Sequence, residues 1–439
     1  MGNRIDTQVL IVGGGPVGLT LAIDLVQRGI EVTVVEMRAP AEPPSVRCNH
    51  VAARTMEIFR RLGLVRTVRE AGLPADYPND VVFLYHRHWD RVFTHPDSCR
   101  AERYTAKGGP DTWWPTPEPA HRINQIFLEP VLFAHAVATS RLSILNRTRV
   151  VDYVQSESGV RATAENLDNG GVSEIFATYL IGCDGAHSDV RHIVGAKFSG
   201  DAAVIQTQST YIRTPKLLGM ISRPAWLNVS LNRRCSGYLF AIDGRERWLI
   251  HNWRPPSEDL ATLDRDRCIR EILGVESTFE FDILGQEDWT GRRMIADRFR
   301  DRRVFLCGDA AHIWVPFAGY GMNAGIADAM NLSWKLAGVL KGWAEPGILD
   351  AYELERQPVT EQVSRYAMNI SCGYHKVARS PITWRRPDQR ATRHESASAG
   401  RYTKLMSARP AVAALTSVIS MTPAHHCLRW RGGARIQHV

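Results

Sequence analysis

The stretch QVLIVGGGPVGLTLAIDLVQRGIEVTVVE (residues 8–36) decides the fold of this chain. An apolar strand runs into a glycine loop, the loop opens an apolar-periodic helix, and a second strand follows, which predicts a βαβ unit. The loop fits the pattern G-x-G-x-x-G, whose glycines allow a tight turn, close approach of a pyrophosphate and close packing of helix on strand. The helix N-terminus adds amide donors and a positive dipole end for phosphates.

The second strand of this unit ends in Glu36, 18 residues after Gly18. A carboxylate at this place can accept hydrogen bonds from a ribose diol and would repel a 2′-phosphate. The unit therefore predicts a site for FAD or NAD(H) rather than NADP(H). Its predicted binding residues are Gly13, Gly15, Pro16, Val17, Gly18 and Glu36.

The composition, with 44% hydrophobic and 23% charged residues in 439, is that of a globular protein of two or more domains. The net charge of +8 belongs to one end, because residues 376–439 hold 12 basic and 2 acidic residues while the remainder holds 42 and 44. We therefore expect no nucleic-acid partner. No apolar run is long enough for a bilayer, so we expect no membrane partner either. Eight scattered cysteines without a CxxC pair favour reduced thiols in the cytoplasm, and no cluster predicts a metal site.

The order of predicted elements indicates an α/β fold interrupted by a sheet. Strand-like alternation without a long helix fills residues 201–254, which predicts an antiparallel sheet inserted into an α/β domain. We assign residues 1–200 and 285–375 to the α/β domain, with helices at its C-terminal end, and residues 201–284 to the middle sheet. Residues 376–439 form a basic, aperiodic tail.

A second motif, TYLIGCDGAHSDVR (residues 178–191), places an acid at the end of a strand. Ligands of open α/β sheets bind beyond the carboxyl ends of the strands, so Asp184 can hold ribose or ribityl hydroxyls or order water near a pyrophosphate. Ser188 and Asp189 can cap a short helix that carries Arg191. A generic Asp-Gly turn is the alternative interpretation.

A third motif, RVFLCGDAAHIWVPFAGYGMNAG (residues 303–325), repeats the acid after a strand at Asp309. Three residues, Pro316, Gly319 and Gly321, keep side chains away from a flat ligand. A helix then begins near Met322 and Asn323, and its amides point back toward the loop. Such a helix end stabilises the anion that forms on a reduced isoalloxazine ring.

Together these three motifs resemble the class A flavoprotein monooxygenases, the aromatic hydroxylases of the p-hydroxybenzoate hydroxylase fold. The resemblance covers residues 5–370, and the segments RTMEIFRRLGL, RINQIFLEPVL and YELERQPV are similar to phenol, resorcinol and 3-(3-hydroxyphenyl)propionate hydroxylases. It implies a Rossmann-type FAD-binding domain with an inserted substrate domain. One departure is Phe317-Ala318, where the family has a proline or glycine.

The resemblance also implies roles for individual residues. The AMP part of FAD is expected on Gly13 to Gly18 and Glu36, and Arg47 is expected near the mobile flavin. The other expected contacts are Arg122 and Gln125 with the FAD phosphates, Asp309 with the ribityl chain, Gly321, Met322 and Asn323 with the ring edge, and Asp184 and Arg191 with FAD and the reduced nicotinamide.

The activity implied by the resemblance is hydroxylation of a phenolic or other aromatic small molecule. NAD(P)H, as a transient co-substrate, reduces the flavin, O2 adds at C4a, and the hydroperoxide transfers one oxygen to the ring. We predict that His50 acts as the base for a phenol and that its neighbour Asn49 binds the substrate hydroxyl. The alternative is that His50 only caps a helix. Alternation in the middle sheet predicts Tyr211, Trp226 and His251 as lining residues, with plain sheet packing as the alternative.

Other hypotheses remain at this point. The chain could be an NAD-dependent dehydrogenase if the second and third motifs are coincidental, or a nucleic-acid-binding module using the tail residues Arg385, Arg386, Arg390 and Arg393. The tail also resembles a frameshifted translation, which predicts a weakened or inactive FAD-binding relative. We carry a homodimer as a further hypothesis.

Overall fold

The structure, a computed structural model, describes residues 4–40, 42–47, 49–79, 81–85, 92–94, 116–221, 224–231, 235–254, 256–316 and 319–378. The tail arginines Arg385, Arg386, Arg390 and Arg393 and the departure at Phe317-Ala318 therefore lie outside the described residues. Within the described part of the chain, no helix is long and apolar enough to cross a membrane.

The first sheet is built around the predicted βαβ unit. Its strands are β1 (Arg4–Val12), β2 (Val32–Val35), β5 (Leu142–Leu145), β6 (Thr148–Gln155), β7 (Val160–Asn166), β8 (Val172–Gly182), β14 (Arg300–Asp301) and β15 (Val304–Leu306). The central strands are parallel, in the order β15, β8, β1, β2, β5, while β14, β7 and β6 add antiparallel pairs. Four buried residues end β1 and four make up β2, as a strand covered on both faces requires.

The second sheet is formed by β3 (Val81–Tyr85), β4 (Val92–Thr94), β9 (Phe198–Arg213), β10 (Leu227–Leu231), β11 (Gly237–Ala241), β12 (Arg247–Arg254), β13 (Asp282–Ala296) and β16 (His312–Ile313). Its strand order is β16, β13, β9, β12, β11, β10, β3, β4, and it is antiparallel except for the pair of β10 and β3.

Nine α-helices lie within the described residues. They are α1 (Pro16–Gln27), α2 (Ala53–Arg61), α3 (Val65–Ala71), α4 (Gln125–Val137), α5 (Asp189–Val194), α6 (Lys216–Met220), α7 (Arg265–Leu273), α8 (Tyr320–Leu340) and α9 (Asp350–Ala378). Asn124 caps α4 by accepting from the Ile126 amide, and Ser188 caps α5 by accepting from the Arg191 amide, as the second motif predicts.

Helix α8 connects the hydrophobic cores of the two sheets. Its residues Leu332 and Leu336 pack into the core of the first sheet, while Ala324 packs into a core formed with the second sheet and α9. Because one long helix is buried against both layers, its N-terminus is held at the junction between them. The loop and helix of the third motif therefore lie between the sheets.

The predicted fold class, mixed α/β with an antiparallel sheet and C-terminal helices, is confirmed. The sheets do not follow the predicted domain limits, however. Strands β3 and β4 come from the segment assigned to the α/β domain, and β13 continues to Ala296 beyond the predicted limit at 284. Pairing between segments so distant in sequence leaves no local pattern, so the residue alternation could not reveal it.

Candidate cofactor and active site

One continuous cleft of about 2100 Å³, lined by described residues, runs between the two sheets. Every predicted site residue borders it except Gly18, Asn323 and Tyr211. The cleft begins at the carboxyl ends of β1 and β2, passes the N-terminus of α8 and reaches the face of the second sheet. We call the part beside the glycine loop the adenine end and the part beside Asp309 the flavin end.

The glycine loop at the adenine end is packed backbone against backbone. Gly13 has φ +108°, and a Cβ there would collide with the carbonyl of Cys183. A Cβ on Gly18 would collide with the carbonyl of Gly13, so Gly18 serves helix-on-strand packing and does not border the cleft. A Cβ on Gly15, by contrast, would meet no atom within 4 Å. The loop is therefore rigid on its protein side and open on its cleft side.

Glu36 holds the loop in place from the end of β2. Its Oε2 accepts from the Gly14 amide at 2.7 Å, and its Oε1 accepts from the Arg38 amide at 2.9 Å and from Arg38 Nε at 3.1 Å. Arg38 in turn donates to Glu129 at 2.8 Å. Burial alone would raise the pKa of Glu36, but these hydrogen bonds from Arg38 lower it. The carboxylate stays ionised, with Arg38 beside it.

The second motif places Asp184 against the cleft, where only one of its two carboxylate oxygens has a hydrogen-bond partner among the described residues. Its Oδ2 accepts from the Val190 amide at 3.0 Å, while its Oδ1 is buried without a hydrogen-bond partner among the described residues. Burial raises the pKa of this carboxyl group. Arg191 is also buried and donates to the carbonyls of Ala310 at 3.2 Å and Ala186 at 3.0 Å. It therefore ties the second motif to the third.

At the flavin end, Asp309 opens onto the cleft, and desolvation by the surrounding protein raises its pKa. The loop that carries it is anchored by a buried carboxylate on α8. Asp328 accepts from the Gly308 amide at 3.2 Å, from His312 Nε2 at 2.6 Å and from Arg356 Nε at 2.6 Å. Burial would raise the pKa of Asp328, but Arg356 and His312 outweigh it and lower the pKa.

The N-terminus of α8 presents backbone to the cleft. Gly319 caps the helix with φ +68°, and a Cβ on Gly321 would meet no atom within 4 Å. The Asn323 side chain is occupied within the protein: Oδ1 accepts from Ala52 N at 2.9 Å and Thr55 Oγ1 at 2.7 Å, and Nδ2 donates to the His50 carbonyl at 3.1 Å. The groups here that remain available to a flavin edge are therefore main-chain groups.

The two predicted catalytic residues border the cleft next to Arg122. Its Nη1 lies 2.6 Å from His50 Nδ1, and since a guanidinium can only donate, Nδ1 is the acceptor and the imidazole proton is on Nε2. Burial, followed by the charge of Arg122, lowers the pKa of His50 well below its ordinary value. Asn49 accepts through Oδ1 from the Asn124 side chain. In this arrangement His50 is a neutral donor.

Three other predicted phosphate and flavin ligands, Arg122, Arg47 and Gln125, already contact protein groups. The Arg122 guanidinium lies 3.5 Å from the centre of the Trp226 ring, which joins α4's N-terminal segment to the second sheet. Arg47 forms an ion pair with Glu287 on β13. Gln125 donates to Glu129 through its side chain. In the structure, then, these three side chains bind protein groups at the cleft margin.

The face of the second sheet that borders the cleft is aromatic. Its bordering residues are Trp226, Tyr238, Phe240, His251, Trp253 and Trp289, joined by Trp314 from the third motif. Ser209 Oγ lies 2.7 Å from His251 Nδ1 and accepts from Trp289 Nε1 at 2.7 Å. Tyr211 is on the same strand as Ser209 but does not border the cleft, and its hydroxyl is buried. The position of Tyr211 thus gives it no contact with a molecule in the cleft.

Two groups of site residues had no place in the sequence-based prediction. One is Asp328 with His312 and Arg356; the other is Ser209 with Trp289. A signal for the first was present, because Asp328 is a charged residue within the apolar face of a long helix, which requires a buried partner. No signal identified its partner on α9 or the pairing of Ser209 with Trp289.

The predicted cofactor FAD can be tested against these features. A long dinucleotide needs a continuous cleft, a backbone that can approach the ligand closely and polar groups that can form hydrogen bonds with it. The cleft is continuous, Gly15 and Gly321 leave open space, and buried Asp184 Oδ1 lacks a partner among the described residues. The residues present fit FAD.

Comparison with known proteins agrees with this fit. The family model described as FAD binding domain matches residues 6–367. The chain is 30% identical over 367 residues to the FAD-dependent monooxygenase apdD of Emericella nidulans, covering 80% of this chain and 59% of that protein. It is 32% identical over 369 residues to a putative polyketide hydroxylase of Streptomyces halstedii, covering 82% and 64%.

A solved structure is also similar. The rebeccamycin biosynthetic enzyme RebC with reduced flavin superposes with a TM-score of 0.82 at 31% identity, over 93% of this chain and 76% of that one. The chain spans less than two thirds of the length of the two curated relatives above. The predicted family and cofactor are confirmed: this chain belongs to the FAD-binding domain family, the family of the class A aromatic hydroxylases.

Proposed function

We propose that this protein is an FAD-dependent monooxygenase that hydroxylates a planar aromatic molecule with NAD(P)H and O2. The observation that carries the proposal is the single cleft, which joins a dinucleotide-binding loop at one end to an aromatic wall at the other. Bound FAD supplies the redox chemistry and the activation of O2. An NAD-dependent dehydrogenase is not favoured, because the FAD-binding family model covers both later motifs.

The residues that hold FAD are assigned by their place along the cleft. At the adenine end we assign the backbone of Gly13 and Gly15, with Pro16 and Val17, and the carboxylate of Glu36, while Gly18 serves helix packing behind the loop. We assign Arg122 and Gln125 to the phosphates, Asp184, Arg191 and Asp309 to the ribityl region, and Arg47, Pro316, Gly319, Gly321 and Met322 to the flavin ring. The amides at the α8 N-terminus would stabilise negative charge on that ring.

The substrate is assigned to the space between the flavin end and the second sheet. Trp226 and His251 border this space, and aromatic walls favour a flat ring system over a flexible chain. Their enclosure also excludes water from the reacting groups. The relative from Streptomyces halstedii is named a putative polyketide hydroxylase, which supports a substrate of fused or linked aromatic rings.

His50 and Asn49 are assigned to the substrate hydroxyl. Because Arg122 donates to Nδ1, His50 offers Nε2–H and would first orient the hydroxyl as a donor. To accept a phenolic proton it must exchange its contact with Arg122, and its lowered pKa opposes that step in the resting arrangement. We therefore propose orientation as its main role, with Asn49 fixed beside it by Asn124.

The test is NAD(P)H oxidation under air by the purified, FAD-loaded protein. The panel compares single-ring phenols with fused-ring phenols, and each reaction is scored for hydroxylated product and for hydrogen peroxide. We expect product with fused-ring phenols in preference to single rings. A protein that binds FAD and forms no product with any member would be the inactive relative, and a protein that binds no FAD would contradict the proposal. The homodimer stays a prediction, to be checked by the mass of the protein in solution.

A further inference from the structure

One polar chain of side chains crosses the aromatic wall of the cleft. Trp289 Nε1 donates to Ser209 Oγ at 2.7 Å, and Ser209 Oγ lies 2.7 Å from Nδ1 of His251. Ser209 and His251 are direct partners in the register of β9 and β12. The three side chains therefore form a connected unit that the sheet itself holds in place.

The direction of these hydrogen bonds follows from their donors. An indole nitrogen can only donate, so Trp289 occupies a lone pair of Ser209 Oγ. The serine has one hydroxyl proton, and among the described residues the acceptor that contacts it is His251 Nδ1. The opposite tautomer would leave the hydroxyl proton without an acceptor in a part-buried place, which is unfavourable. Ser209 therefore donates, and the imidazole of His251 carries its proton on Nε2.

The state and orientation of this ring are also constrained. Burial lowers the pKa of His251 to about 4, so the imidazole is neutral near pH 7. Phe240 and Trp289 pack against it edge-on, with ring centres at 5.5 Å and 5.9 Å. The ring borders the cleft and is partly exposed there. A neutral ring with one defined tautomer and two aromatic neighbours keeps its orientation and its proton on Nε2.

We propose that His251 forms a preset hydrogen-bond-donor subsite for an oxygen acceptor of the substrate, a phenolate or a carbonyl oxygen on a planar aromatic ring system. This rests on the proposed function, because it assumes that the aromatic substrate occupies the cleft. The subsite would select ring systems that carry such an oxygen over those that present only N–H or C–H groups at this position. Glu287, in register with Ser209, does not oppose a phenolate strongly, because Arg47 pairs with it.

The experiment measures equilibrium binding of two probes to the FAD-loaded protein. The probes are 2-naphthol and naphthalene, which share a ring system and differ in the oxygen. We expect His251→Leu to weaken 2-naphthol binding by about tenfold and to leave naphthalene within about twofold, as loss of one hydrogen bond predicts. His251→Gln, which can place an N–H near the position of Nε2, should retain 2-naphthol binding within about threefold.

A second variant tests the direction of the chain. Ser209→Ala removes the donor that fixes the tautomer of His251, so the imidazole can carry its proton on either nitrogen. We expect binding of 2-naphthol to weaken about threefold and binding of naphthalene to stay unchanged. Equal losses of both probes in His251→Leu would overturn the subsite, because they would indicate packing alone. No loss of 2-naphthol in His251→Leu would overturn it as well.

These outcomes are separate from those of the proposed function, because probe binding requires no turnover. Selective loss of 2-naphthol in a protein that hydroxylates nothing would support the subsite and contradict the activity. Hydroxylation that is unchanged in His251→Leu, together with unchanged 2-naphthol binding, would support the activity and overturn the subsite.

Discussion

The adenine end and the flavin end of the cleft are held in place by different kinds of contact. At the adenine end, Gly18 packs against the backbone of Gly13, Gly13 packs against the backbone of Cys183 after β8, and Glu36 accepts from the Gly14 amide. At the flavin end, the loop of Asp309 is held by the side chain of Asp328 on α8, which is paired with Arg356 on α9. The first depends on close backbone packing, and the second depends on buried charges carried by two helices.

This difference predicts which kind of substitution each end tolerates least. A backbone-packed loop cannot accept any added atom on its protein side, whereas a buried ion network cannot lose a charge. Substitutions that add a methyl group should therefore act most strongly at the adenine end, and substitutions that remove a charge should act most strongly at the flavin end.

The largest effect is expected for Gly13→Ala. The new Cβ would collide with the Cys183 carbonyl at a φ of +108°, so we expect no folded, FAD-binding protein in the soluble fraction. The matched control is Gly15→Ala, two residues away, whose Cβ meets no protein atom within 4 Å. It should fold normally and bind FAD about tenfold more weakly, because the methyl group enters the cleft.

The measurement is FAD titration of the purified variants, with circular dichroism as the check on folding. If Gly13→Ala folds and binds FAD as the wild type does, the adenine end is not limited by backbone packing. If Gly15→Ala binds FAD with unchanged affinity, this glycine does not face the cofactor.

The next effect in size is expected for Asp328→Asn. The change leaves Arg356 as a buried charge without its counterion, which should lower the free energy of unfolding by about 3–5 kcal/mol. The matched control is Asp168→Asn, which breaks an exposed ion pair with Arg147 and should cost about 0–1 kcal/mol. Urea unfolding followed by tryptophan fluorescence gives both values, and equal small losses would show that the network at the flavin end is not a stabilising unit.

Acid should destabilise the protein through the buried His121, which lies away from the cleft lining, and not through Glu36 at the adenine end. Burial, and then the charge of Arg69, lowers the pKa of His121 from 6.5 to about 4, so the unfolded chain binds a proton in this range that the folded chain does not. Stability therefore rises with pH across this window, and this one group costs about 2 kcal/mol between pH 6.5 and pH 5. Glu36 at the adenine end stays ionised there, because Arg38 lowers its pKa.

The check is urea unfolding of the wild type and His121→Gln at pH 7 and pH 5. The variant should lose less stability than the wild type over this interval, by about 2 kcal/mol. The same loss in both proteins would mean that His121 gains its proton in the folded state as easily as in the unfolded chain.

The smallest effect is expected for Glu287→Gln, which breaks the ion pair with Arg47 across the cleft. The Arg47 side chain is 57% exposed, so solvent and salt weaken the pair and the free energy of unfolding should change by less than about 1 kcal/mol. Thermal unfolding at low and high salt measures it. A large loss that disappears at high salt would make this pair a structural link between the segment of Arg47 and the second sheet.

Much of the adenine end was predictable because its determinants are adjacent in sequence. The strand, the glycine loop, the helix and Glu36 lie within 29 residues, and each contact among them is made by backbone or by a neighbouring side chain. The flavin end was predictable only as a motif around Asp309. The carboxylate that anchors it, Asp328, and the partner Arg356 are set by how α8 and α9 pack, which residue spacing does not encode.

The sequence by itself determined the α/β class, the family and the FAD cofactor, since three short motifs in a fixed order carry that information locally. Only the tertiary structure decided that β3 joins the second sheet, that Tyr211 does not border the cleft and that His50 is a donor beside Arg122. The physical reason is the distance along the chain over which each interaction acts. Hydrophobic periodicity and glycine loops act between neighbours along the chain, whereas a strand's partner, a tautomer or the direction of a hydrogen bond depends on atoms brought together from distant segments.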